Sequence, residues 1–183
     1  QLPVRDQLTL IRALQPQAKT IGLLYTIGEI NSQVQASLYR EAAADYGFEI
    51  VENTITTAAD IPLALPKLIS QVDCISMLTD NTVVQHLDLV LDQTDAAGLP
   101  VYGSEVEQVK NGCVAAVGID YLELGRKTGL IAVRVLQGES ADSIPFEVLS
   151  EFDLFYNQEV LTRMGLSVPE ELLPLLSEVS DAL

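Results

Sequence analysis

Four short polar signatures follow four apolar runs: Glu29-Ile30-Asn31-Ser32, Thr79-Asp80-Asn81-Thr82, Gly103-Ser104-Glu105 and Gly118-Ile119-Asp120-Tyr121. Hydroxyls at Ser32, Thr82 and Ser104, together with helix N-terminal N–H groups, make a seat for a carboxylate or another anion. The same set holds Glu29, Asp80, Glu105 and Asp120, and four acids would repel a phosphate. A ligand carrying both charges resolves the conflict: N–H and hydroxyl donors take its carboxylate, while one or two acids, Asp120 and Asp80 foremost, pair with its ammonium. That chemistry describes a zwitterion, an amino acid or a close relative. Ser32, Asp80 or Asn81, and Asp120 each precede a helical pattern, so any one of them alone also reads as an N-cap.

Residues spread over roughly ninety positions can share a site only if the fold gathers them, and an open parallel sheet does this at the edge where its strands end. Short β-rich runs mark strands at 20–25, 48–54, 74–78, 100–103, 113–119 and 151–156. Helical periods lie between them. Over 83–97, Val83, Leu87, Val90, Leu91, Thr94 and Ala97 form one helix face that Gly98 ends. After Asp120, Tyr121, Leu124, Thr128, Ile131 and Val135 keep a stripe up to Gly138.

A further helix is expected from Ser32 to Tyr46, opened by a capping box between Ser32 and Gln35. Others are expected over 4–14, 59–70 and 158–164, and the period Leu172, Leu176, Val179 predicts a docked helix in the tail. Alternating strands and helices, with largely apolar strands, predict an α/β fold: a doubly wound parallel sheet in the flavodoxin-like order 2-1-3-4-5, with helices on both faces.

Composition excludes several partners. With 26 acidic against 10 basic residues and a net charge of −16, the chain lacks the Lys and Arg clusters that neutralise nucleic-acid phosphates or anionic lipid. No run reaches the roughly 18 apolar residues of a membrane span, so direct membrane insertion by these 183 residues is not expected. A single histidine and two cysteines offer no zinc spacing. Cys74 and Cys113 sit in apolar runs and read as buried, reduced thiols; with one strand between them they would stand too far apart to bridge.

Catalytic readings fit poorly. A receiver-type phosphorylation domain needs an acidic pair after its first strand and a lysine after its fifth, where Tyr25-Thr26 and Gly118-Ile119 stand. A two-cysteine racemase needs thiols at strand edges, and here both lie deeper. No Gly-rich phosphate loop, nucleophile elbow or Ser/His/Asp arrangement is present, and His86 reads as a surface residue off the apolar stripe. No cofactor is implied.

Together, Asn31-Ser32-x-x-Gln35, Thr79-Asp80-Asn81-Thr82-Val83, Val101-Tyr102-Gly103-Ser104-Glu105 and the run from Val117 through Asp120-Tyr121 to Gly129 resemble the substrate-binding proteins of bacterial ABC transporters in the tryptophan/tyrosine-binding family. The resemblance implies a periplasmic-binding-protein fold of two lobes that closes on an amino acid, with this chain corresponding to the second lobe only. Residues 1–173 would form that lobe, with a hinge return segment at 147–157, and 174–183 a tail. It implies a binding protein rather than an enzyme, an ABC permease as partner of the full-length protein, and an extracytoplasmic location, periplasmic or lipid-anchored, with any signal upstream of Gln1. Carried over by position, its ligand-facing loops map to Asn31, Ser32, Asp80, Asn81, Thr82, Ser104, Glu105 and Asp120. Thr26, Gly28 and Leu78 depart from the common pattern, and they flank two of these loops. The alternative is a ligand-sensing domain of a transcriptional regulator or signalling receptor with the same fold.

Overall fold

The computed structural model describes residues 3–119, 121–145 and 152–179. In chain order they form α1 (Val4–Leu14), β1 (Thr20–Thr26), α2 (Ile30–Ala42), β2 (Glu49–Ile55), α3 (Ile61–Ile69), β3 (Cys74–Ser76), α4 (Asn81–Val84), α5 (Leu87–Ala97), β4 (Val101–Tyr102), α6 (Val106–Lys110), β5 (Ala115–Gly118), α7 (Tyr121–Leu136), β6 (Asp153–Tyr156), α8 (Gln158–Arg163) and β7 (Leu176–Glu178). Strands β2-β1-β3-β4 pair in parallel. β5 continues the series beside β4: Val114 N–H donates to Val101 O at 2.8 Å, Gly103 N–H to Ala115 O at 2.9 Å, and Gly103 bridges Ala116 in parallel. The expected order 2-1-3-4-5 is thus realised. β6 then returns antiparallel to β5, and β7 lies parallel to β6.

Alternation along the strands divides the core in two. Ile21, Leu23 and Tyr25 of β1 face a cluster with Leu8 and Ile11 of α1 and Tyr39 of α2, while Leu24 faces a second cluster with Leu65 and Leu68 of α3 and Val90 of α5. Period-2 strands that are apolar on both sides require helices on both sides, the physical content of a doubly wound sheet. Gly22 allows α3 its close approach, since a Cβ there would stand 3.1 Å from both Leu68 and Val72. Cys74 joins the first cluster and Cys113 the second. Both thiols are free, and burial pushes both well above the usual range for cysteine.

The structure corrects the expected elements in three places. The helix expected over 83–97 is interrupted: α4 ends at Val84 and α5 begins at Leu87, with His86 at the junction donating through Nδ1 to Thr82 O at 2.8 Å. Its apolar face survives the break, with Val83, Leu87, Val90 and Thr94 all buried. The tail is a turn followed by a strand rather than a helix. Pro174 sits inside the helical period and cannot continue it, whereas β6 offers an open edge, so Val179 N–H donates to Tyr156 O at 2.9 Å and Leu176 is buried.

The third correction concerns the stripe on α7, which finds no core among the described residues. Leu124 and Ile131 are only half-buried, Val135 is exposed, and Leu130 and Leu136 are 54% and 85% exposed. Among the described residues no helix is long and apolar enough to cross a membrane.

Candidate functional site

At the carboxyl edge of the sheet, the β1–α2 and β3–α4 loops are bound to each other by two carboxylates. Asp80 is fully buried and accepts four hydrogen bonds: from Thr26 N–H at 2.7 Å, Thr26 Oγ1 at 2.9 Å, Ser32 Oγ at 2.7 Å and Val83 N–H at 2.9 Å. It caps α4 and staples it to the end of β1 in one stroke. The second carboxylate works in the opposite direction across the same gap. Glu29 accepts from Asn81 N–H at 2.9 Å and Asn81 Nδ2 at 2.8 Å, and from Thr82 N–H and Oγ1, both at 3.1 Å.

A third tie uses amides. Asn31 Nδ2 donates to Thr79 O at 2.6 Å, Thr79 N–H donates to Gln35 Oε1 at 2.9 Å, and Gln35 Nε2 donates to Thr79 Oγ1. The capping box expected between Ser32 and Gln35 therefore does not form. α2 begins two residues before Ser32, so Ser32 and Gln35 lie within the helix, buried, and point across to the neighbouring loop.

These contacts reassign roles expected at the rim. A hydroxyl carries one proton, and those of Ser32 and Thr82 go to Asp80 and Glu29. The first N–H groups of α4, on Asn81, Thr82 and Val83, already meet Glu29 and Asp80, so the chain's own carboxylates fill the anion seat expected there. Asp80, with four donors on its two oxygens and no exposed surface, does not face the crevice as an ammonium partner would.

Acid is expected to open the Glu29 clasp. Burial is the largest single influence on its carboxyl and pulls it upward, yet the bonds from Asn81 and Thr82 together outweigh this and hold it below its ordinary value. A carboxyl depressed by folding contributes stability above its unfolded value and loses that contribution as pH falls through the lower folded one. Protection of the Asn81 and Thr82 amides, relative to their intrinsic exchange, should therefore fall as pH drops below the ordinary glutamate range. The Glu29→Gln variant should show faster exchange there already at neutral pH; rates equal to those of the unaltered protein would reject the clasp.

The β4–α6 loop is arranged differently. Ser104 is buried, its N–H donating to Gln108 Oε1 at 2.8 Å and its hydroxyl lying 3.1 Å from Gln108 Nε2. Glu105 follows in extended backbone at the start of α6, half-buried, and its side chain makes no capping bond. It lines a recess of 440 Å³ with Gln85, Asp88 and Gln108. A Cβ at Gly118 would stand 3.2 Å from the Phe155 ring and at an ordinary contact distance of 3.6 Å from Glu105 Cα, so the end of β5 lies beside this loop. Asp120, two residues further, lies outside the described residues.

The structure thus gathers Asn31, Ser32, Asp80, Asn81 and Thr82 through direct bonds, and sets Ser104 and Glu105 at the adjoining strand end. Asn31 and Asn81 are exposed, while Ser32, Asp80 and Ser104 are buried. Gln7 is a further residue that helix periodicity alone marks: it is polar within the apolar face Val4, Leu8, Ile11 of α1. Wholly buried, it donates to Gly103 O at 3.0 Å and accepts from Val117 N–H at 2.9 Å, tying α1 to both strand ends that carry this loop. Among the described residues no group of three or more His, Cys, Asp or Glu is placed to hold a metal ion.

Residues 1–180 match the family of ABC transporter substrate-binding proteins. Over 165 residues the chain is 32% identical to a tyrosine-binding protein of Clostridioides difficile (strain R20291), covering 90% of this chain and 48% of that protein. An ABC domain from Streptococcus pneumonia, solved in complex with L-Trp, superposes with a TM-score of 0.88 at 30% identity over 97% of this chain and 62% of its own. The ligand-free, open structure of CD0873, a substrate-binding protein with adhesive properties from Clostridium difficile, gives 0.80 at 33% identity over 97% and 59%. The chain spans about half the length of the curated relative it matches and about three-fifths of these solved chains. With its wound parallel sheet and nearly its whole length matched, the chain belongs to the family of ABC transporter substrate-binding proteins.

Proposed function

We propose that this chain is one lobe of a receptor that captures an aromatic amino acid and delivers it to an ABC permease outside the cytoplasm. The observation that carries the reading is the state of the rim acids. Glu29 and Asp80 are each engaged by four internal donors, whereas Glu105, at the adjoining strand end, has no bonding partner among the described residues. Glu105 and Asp120 take the ligand's ammonium, and the exposed amides of Asn31 and Asn81 meet the carboxylate. Asp80, Ser32 and Thr82 hold the two amides in place. Aromatic selectivity is supported by the relatives, one named for tyrosine and one solved with L-Trp.

In this reading residues 1–173 are the second lobe; of the hinge return expected at 147–157, residues 147–151 lie outside the described residues. The apolar side of α7 then has an evident use, since relatives extend over about twice this length and the additional lobe would cover Leu130 and Leu136. The ligand is held between the lobes, so this chain by itself binds weakly. A sensing role is the poorer alternative, because the match over 1–180 is to transporter binding proteins.

Calorimetry on the full-length protein with L-Trp and L-Tyr tests the site. A charge-assisted hydrogen bond contributes about 1.5–3 kcal/mol, so Glu105→Gln should weaken binding by about tenfold or more with the folding midpoint unchanged. Asp120→Asn should do likewise. Unchanged affinity in Glu105→Gln would return Glu105 to an ordinary surface position.

A further inference from the structure

The geometry points to a second binding site, lined by other residues than the strand-edge loops, for a small arylalkylamine: an apolar ring bearing a cationic nitrogen and no carboxylate. Between α1, β5, β6 and the turn before β7 lies a cavity of 370 Å³, within the range of about 300–1,000 Å³ that small-molecule sites occupy. Its floor is built by register. Val117 pairs directly with Leu154 across the antiparallel β5–β6 ladder, so the two side chains share one face, and Phe152 lies on that face two residues before Leu154. Leu10 of α1 and Leu172 of the turn complete the apolar lining.

Among the described residues the polar edge is made of acceptors. Asp6 forms no ion pair or hydrogen bond with the described residues, and Thr9 directs its hydroxyl proton to Arg5 O at 2.9 Å, leaving lone pairs. Such an edge suits an ammonium, and Phe152 offers an aromatic face to a ring or cation. It rejects a carboxylate, so the ligand class differs from the zwitterion of the strand-edge site.

Occupancy would be felt at that other site through α1. Gln7, next to Asp6, bonds both Gly103 O and Val117 N–H, and Gly103 immediately precedes Ser104-Glu105. An amine wedged between Asp6 and Val117 braces the strand ends on which Glu105 is mounted. The site itself does not depend on the proposed amino-acid function.

The test uses 2-phenylethylamine and the full-length protein with labelled Leu and Val methyl groups. The amine should shift the methyl signals of Leu10, Val117, Leu154 and Leu172 in a saturable way, and phenylacetate should not. Asp6→Asn, a substitution at an exposed position, should weaken the amine about tenfold, while Glu105→Gln leaves it unchanged. No methyl shift at millimolar amine, equal binding by Asp6→Asn, or equal binding of phenylacetate overturns the proposal. Sensitivity to Glu105→Gln with indifference to Asp6→Asn would place the amine at the strand edge and overturn it as well.

Discussion

Replacing Asp80 by alanine is expected to lower unfolding stability by roughly 3–5 kcal/mol, the largest effect of any single substitution at the rim. The magnitude follows from what is left behind. Hydroxyls of Thr26 and Ser32 can rotate toward other acceptors, but the N–H groups of Thr26 and Val83 are fixed by β1 and α4 and would remain buried without a partner. Each such donor costs about 1–3 kcal/mol, and loss of the cap on α4 adds about 1 kcal/mol. Asp80→Asn keeps one carbonyl oxygen but turns an NH2 group toward donors, so it should cost roughly half as much. Urea denaturation gives the readout, with the midpoint falling and the slope unchanged. A loss below about 1 kcal/mol for the alanine variant would mean that water substitutes for the carboxylate and that the loops are not stapled through it.

Gln7→Met should cost roughly 2–4 kcal/mol, the second largest effect. Methionine matches the length and volume of glutamine, which separates hydrogen bonding from cavity formation. What it removes is the pair of bonds to Gly103 O and Val117 N–H, both at buried positions. Hydrogen exchange at Val117 should accelerate with the same loss of protection. Gln7→Glu should be worse than Gln7→Met, since it places a buried charge against the Gly103 carbonyl. If Gln7→Met left both stability and Val117 exchange unchanged, the seam between β4 and β5 would be held by the strand ladder alone.

Both predictions concern residues that join parts of the chain far apart in sequence, and this is where reading the sequence reached its limit. Local periods placed the strands and most helices correctly, because burial on two faces imposes period 2 and period 3.6 on neighbouring residues. The same periods misread the tail, where Pro174 and the open edge of β6 favoured a strand. They also could not reveal that the α7 stripe lacks a core within the described residues.

At the rim the limit was sharper. Ser32 and Gln35 have the spacing of a capping box, yet each bonds a partner more than forty residues away, as do Asp80 with Thr26 and Glu29 with Thr82. Gln7 is the instructive exception. Its polarity on an apolar helix face signals a buried amide in need of partners, although not which ones.

From the sequence by itself came the wound sheet, its strand order, the edge at which the polar loops gather and the burial of both cysteines, all consequences of hydrophobic patterning between near neighbours. Only the tertiary structure decided which rim acids are engaged within the protein and which remain available. A carboxylate's role depends on how many donors converge on it in space, and four polar groups drawn from three separate segments of chain converge on Asp80 while Glu105 meets none among the described residues.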